Sequence, residues 1–155
     1  MHYKLELVPD LVACKFSAVE DINVLVSEAT NEVTLHCKEI FIKEASFTTK
    51  TDAKSPALAE ISYKLTEKTV TFRFEDVLPL GDAILHIEFD GILNGDMAGF
   101  YKSSYTDADG NKQTMANTQF EALDARRAFP CWDEVTLLFA SYFHSPATAR
   151  SESYL

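Results

Sequence analysis

The chain of 155 residues is poor in everything that usually announces a function. It has five glycines (Gly81, Gly91, Gly95, Gly99 and Gly110), none in a GxGxxG or GxxxxGK order, so no phosphate-cradling loop is present. No serine stands in a GxSxG elbow. The four histidines, His2, His36, His86 and His144, lie far apart, and no HExxH sets two imidazoles on one helical face. His36 and His86 fall inside strand patterns and read as hydrogen-bonded structural residues rather than metal ligands. The three cysteines, Cys14, Cys37 and Cys131, form neither a disulfide framework nor a zinc knuckle, which points to a reducing cytoplasm. No apolar run approaches the roughly 18 residues of a membrane span, and MHYKLELVPD lacks a signal-peptide core, so no membrane partner is expected. Positive charge is scarce as well. Lys plus Arg number 14 against 24 Asp plus Glu, a net charge of −10, and such a field repels phosphate backbones, which excludes nucleic acid as a partner.

What the sequence has in quantity is alternation. Tyr3 to Val8 (YKLELV) has period two, and Val12 to Val26 places Phe16, Ala18, Ile22, Val24 and Val26 on one side of a strand. Val33 to Cys37 and Ile40 to Phe47 read as two strands joined almost without a loop. Leu58 to Leu65 and Thr69 to Phe74 flank TEK as a hairpin, with Val70, Phe72 and Phe74 inward. Ala83 to Phe89 alternates again, and Gly99 to Tyr105 with Lys112 to Ala116 brackets TDADGN, whose Asp-Gly is a hairpin turn. About eight short strands with frequent turn signals imply an all-β fold, an antiparallel β-sandwich in a single domain. The exception is Glu121 to Arg127 (EALDARR), which favours one short helical turn near 121–128 before Pro130 stops it.

The same stretch carries the most specific signal. TQFEALDARRAFPCWDE, residues 118–134, and the upstream GILNGDMAGFYKSSY resemble the signatures T-Q-F-E-x-x-D-A-R-R-A-F-P-C-W-D-E and G-x-L-N-x-x-M-x-G-F-Y-x-S-x-Y. These belong to the N-terminal β-domain of the zinc aminopeptidase family that includes puromycin-sensitive aminopeptidase and aminopeptidase N. HYKLELVPD, CKFSAVEDINVLV and VTLHCKEIFI agree more loosely, so the resemblance covers about residues 2 to 134. It implies a saddle-like sandwich and a place in the release of N-terminal amino acids from peptides. It also implies that Glu121, with Gln119 beside it, binds substrate by holding the free α-amino group of a peptide. A carboxylate facing a desolvated ammonium makes a charge-assisted bond that an internal peptide unit cannot offer. By its residues alone Glu121 reads first as a solvated acid in the first turn of a short helix, and it is the resemblance that favours the substrate-binding role.

Around it the residues read as structure. Asp124 and Arg127 are spaced for a helical ion pair, and Arg126 or Arg127 can meet Asp133 or Glu134 once the chain turns at Pro130. Phe129, Cys131 and Trp132 face inward, Cys131 as a small hydrophobe. After Glu134 the resemblance ends in VTLLFASYFHSPATARSESYL, and neither the HExxH helix nor the GAMEN loop occurs. The expectation is a partial N-terminal domain, 1–134, with a divergent tail, 135–155, and a sandwich incomplete at its C-terminus. It has no catalytic residues, metal ligands or cofactor of its own; zinc belongs to the full-length family enzyme. Peptide N-termini are its expected partners in that context. The alternative is a non-catalytic interaction module that meets a protein partner through an exposed sandwich edge.

Overall fold

The computed structural model describes residues 2–49, 57–133 and 141–144, the last four by their backbone alone. The strands are β1 (His2–Asp10), β2 (Lys15–Val26), β3 (Glu32–His36), β4 (Ile40–Thr49), β5 (Ala57–Leu58) and β6 (Glu60–Lys64). They continue as β7 (Thr69–Arg73), β8 (Gly81–Ile92), β9 (Gly99–Thr106), β10 (Lys112–Gln119) and β11 (Ser141–His144), with a 3₁₀ turn over Ala125–Arg127. The fold is all-β, as the alternation requires.

Three sheets share the strands. A six-stranded sheet runs β11-β1-β2-β8-β4-β5, a three-stranded sheet runs β3-β7-β6, and β9 and β10 form a ribbon. Every pairing is antiparallel except that of β11 with β1. β2 and β8 pair along their full lengths, from Lys15↔Ile92 to Val26↔Gly81, and make the spine of the large sheet.

Period two decides which faces meet. Phe16, Ala18 and Ile22 of β2 and Ala83, Leu85, Ile87 and Phe89 of β8 are buried, and they share one core with Leu35, Val70 and Phe72 of the small sheet. Phe47 and Phe74 meet edge to face at 5.7 Å, joining the large sheet to the end of β7. Val24 is only half-buried.

The structure departs from the expected strand list at two places, and it adds the sheet assignments that the list did not contain. Lys15, not Val12, begins β2, because residues 11–14 form a turn in which the Asp10 carboxylate accepts the Val12 and Ala13 N–H groups at 2.9 and 2.8 Å. The run from Leu58 to Leu65 divides into β5 and β6, which pair with different sheets. β3 and β4 likewise belong to different sheets, and the crossing happens at Cys37–Glu39, where Glu39 takes φ 61°.

Candidate functional site

β10 delivers the motif stretch. Its last residue, Gln119, lies opposite Gly99 of β9 in register, and both Gln119 and Glu121 are exposed. Between them Phe120 turns inward, its ring 5.9 Å from that of Phe129. The Asp124 N–H donates to the Phe120 carbonyl at 3.0 Å and closes the turn over 121–124. The Glu121–Ala122 peptide bond is cis. Among the described residues the Glu121 side chain forms no hydrogen bond and no ion pair.

The chain beyond this turn is bolted down. Arg126 is buried; its backbone N–H and Nε donate to Asp133 Oδ2 at 3.3 and 2.8 Å, and a terminal nitrogen donates to the Asp133 carbonyl at 2.9 Å. Arg127 lies 3.3 Å from carboxylates of Asp124, Glu39 and Asp96. Both arginine pairings read from the spacing are therefore present, and the links to Glu39 and Asp96 are additional. The helical turn covers only Ala125–Arg127, less than the expected 121–128, because the Arg126 N–H is spent on a side chain instead of a carbonyl one turn back.

Phe129, Cys131 and Trp132 turn toward the core as expected, Trp132 only partly buried. Cys131 and His36 exchange backbone hydrogen bonds of 2.8 and 3.1 Å, and the Asp133 N–H donates to His36 Nδ1 at 3.2 Å. The Trp132 N–H donates to the Tyr3 hydroxyl at 3.3 Å, and the Tyr3 and Phe129 rings meet edge to face. His86 Nδ1 lies 2.6 Å from Asp21. His36 and His86 thus hold structure.

Burial sets the titration of the groups beneath. It pushes the Cys37 thiol up to about 12 and the Cys131 thiol further, with carboxylates including Glu20 adding to both shifts. Neither thiol has the lowered pKa that a nucleophile needs. A groove of about 980 Å³ opens elsewhere, lined in part by Val8, Phe41, Tyr63, Leu65 and Ile92; neither Gln119 nor Glu121 touches it.

A zinc ion does not fit the residues present: among the described residues no group of three or more His, Cys, Asp or Glu side chains is placed to hold a metal. No described helix is long and apolar enough to cross a membrane.

The chain is an all-β domain that holds the TQFEALDARRAFPCWDE turn at the end of a ribbon, and comparison with known proteins gives its family. The peptidase M1 N-terminal domain family matches residues 1–137, and the chain belongs to that family. It is 44% identical over 135 residues to Aminopeptidase 2 of Candida albicans, a match covering 86% of this chain and 14% of that protein. It is 38% identical over 134 residues to Aminopeptidase M1 of Arabidopsis thaliana, covering 85% of this chain and 15% of the relative. Puromycin-sensitive aminopeptidase of Caenorhabditis elegans is 35% identical over 133 residues, with 86% and 14% covered. The chain thus spans about 15% of the length of such relatives, and its sequence contains none of the catalytic motifs named above.

Proposed function

We propose that the chain supplies the peptide-amine anchor of an M1-type aminopeptidase in the cytoplasm, with Glu121 and Gln119 recognising the protonated N-terminus of a substrate while a separate zinc-bearing part performs the cleavage. One observation carries the reading: Glu121 stands exposed and unpaired at the tip of a turn whose flanks are fixed by Arg126, Arg127 and Phe120. A carboxylate presented on a rigid support loses little entropy on meeting an ammonium, and fixing the amine sets how far the first carbonyl reaches. A net charge of −10 also draws a cationic terminus rather than an anionic one. Three unpaired thiols suit the cytoplasmic setting.

The test is an NMR titration of the ¹⁵N-labelled chain with leucinamide and with N-acetyl-leucinamide. An exposed ion pair contributes only about 0–1 kcal/mol in water, so binding to the chain alone is expected in the millimolar range. Shifts confined to residues 119–122, seen with leucinamide only and abolished by Glu121→Gln, are the expected result. Equal shifts with the acetylated compound, or shifts that persist in the variant, defeat the reading. Glu121→Gln should change stability by less than about 0.5 kcal/mol, because nothing described contacts the carboxylate. The purified chain should also release no amino acid from leucyl-aminomethylcoumarin, with or without added zinc; turnover that copurifies with the chain would contradict its non-catalytic role.

A second reading, a protein-interaction module, draws on β6. Among the described residues this strand pairs only with β7 and is largely exposed, and so offers an open edge to a partner strand. The alternation of the ladder turns the Ile61 N–H outward, so replacing Ile61 with proline would block such augmentation, and a partner captured equally by both forms would argue against it.

A further inference from the structure

Glu20 is 0% exposed, and neither of its carboxylate oxygens has a hydrogen-bond partner. It lies on the inner face of β2 with Phe16, Ala18 and Ile22, opposite Leu5 of β1 and Ile87 of β8 in register. The groups that feel its charge are Tyr3 of β1, its neighbour Asp21, Cys37 at the sheet crossing and Cys131. β8 contributes only apolar Ile87 at this level, since His86 and Glu88 occupy the other face. The small sheet contributes Leu35, Val70 and Phe72, also apolar. Arg126 and Asp133 also act on Cys131, but the Arg126 guanidinium is already committed to Asp133. No cation among the described residues is therefore left for Glu20.

Tyr3 and Cys131 belong to the contact that seats the segment Ala128–Asp133. That seat consists of the Trp132 hydrogen bond to Tyr3, the paired backbone of Cys131 and His36, the Asp133 N–H bond to the titratable imidazole of His36 at Nδ1, and the edge-to-face contact of Tyr3 with Phe129. We propose that Glu20 is a proton-operated latch for this segment: with the carboxyl neutral the segment lies closed over the core, and loss of the proton to solvent opens it so that water can reach the carboxylate. Because 128–133 continues directly from the turn carrying Glu121, the latch would regulate the presentation of the amine site. That consequence rests on the function proposed above; the latch itself does not.

The physical ground is the cost of an isolated buried charge, which exceeds that of a local opening unless a partner or water compensates it. Burial first, and then the Asp21 carboxylate, raise the Glu20 pKa well above 4.5. The seated form therefore keeps a proton that the opened form releases. The closing equilibrium is at full strength below about pH 4.5 and weakens about tenfold per pH unit above it, until the seated carboxyl itself ionises.

Hydrogen exchange on the full chain between pH 5 and pH 8, corrected for intrinsic amide rates, reads this directly. Protection of the His36 and Cys131 amides is expected to fall as pH rises, by up to about tenfold per pH unit until the seated carboxyl ionises, while that of the β6–β7 hairpin falls much less. Glu20→Gln and Glu20→Leu should both make the His36 and Cys131 protection independent of pH. The glutamine form retains the shape of the neutral acid and serves if the leucine form does not fold. Flat protection in the wild type, a slope that survives either folded variant, or an equal fall at every amide overturns the latch. Glu121→Gln should leave the slope unchanged, so a failed amine titration and a failed latch remain separable.

Discussion

Arg126→Ala is expected to lower the stability of the chain by about 3–5 kcal/mol, the usual cost of removing one partner from a buried ion pair. The magnitude follows from what is left behind. Asp133 would keep a carboxylate only 11% exposed, left with just the long backbone N–H bond from residue 126, and a carbonyl that loses its side-chain donor. The nearby Cys131 thiol, already shifted upward, offers no positive charge in exchange. Arg126→Lys should recover part of the loss, because an ammonium keeps the charge but cannot reach two Asp133 acceptors with the planar fork of a guanidinium. Arg127→Ala is the contrasting case: its partners Glu39 and Asp96 are 45% and 71% exposed, so water compensates them and about 1 kcal/mol or less should be lost. Urea unfolding at neutral pH, read as midpoint at constant slope, measures all three. Equal losses from Arg126→Ala and Arg127→Ala would mean that the Asp133 clamp is not what holds the loop.

The same comparison explains how far the sequence can be read. Strand positions were legible because one face of each strand is dry: Val70, Phe72 and Phe74 alternate with Thr69, Thr71 and Arg73 whatever the pairing. Pairing itself was not, since β2 and β8 are brought together across more than fifty intervening residues and nothing local encodes that register. The sheet crossing at Cys37–Glu39 was hidden for a related reason; a three-residue turn can return a strand to its own sheet or send it to another, and only the packing of Ile40 and Leu35 decides.

Glu20 could have been found. Its parity with Phe16, Ala18 and Ile22 puts it on the inner face of β2, but a charge in that position is so unfavourable that the pattern alone invites the reader to pass over it. At the motif turn, the residue types announced the arginine pairs, yet not the reduction of the helix to three residues, which depends on Asp133 reaching back to the Arg126 N–H. The exposure of Glu121 is a consequence of that same clamp, since the chain must leave the core at Phe120 and return at Arg126.

Phe16 and Gly91 should behave as one unit, and separating them gives the other large effect. They face each other across β2 and β8, and the Phe16 ring lies where a side chain at Gly91 would be, with even its Cε2 only 2.9 Å from a Cβ built there. The ring has nowhere to go. It is 2% exposed and packs edge to face on Phe89 at 6.4 Å and on Phe100 at 5.0 Å. Gly91→Ala is therefore expected to cost about 1–3 kcal/mol by overpacking, and Phe16→Ala about 3–5 kcal/mol through lost burial and the cavity left behind. In the double variant the methyl group occupies space the ring has vacated, so the combined loss should fall short of the sum by at least about 1 kcal/mol. Additive losses would show that the ring escapes the new methyl group by another route. Phe100 belongs to β9, the partner of the strand that ends in Gln119. Phe16→Ala should accordingly also lower amide protection along β9 and β10, extending a defect in the centre of the large sheet to the ribbon that carries the candidate amine site.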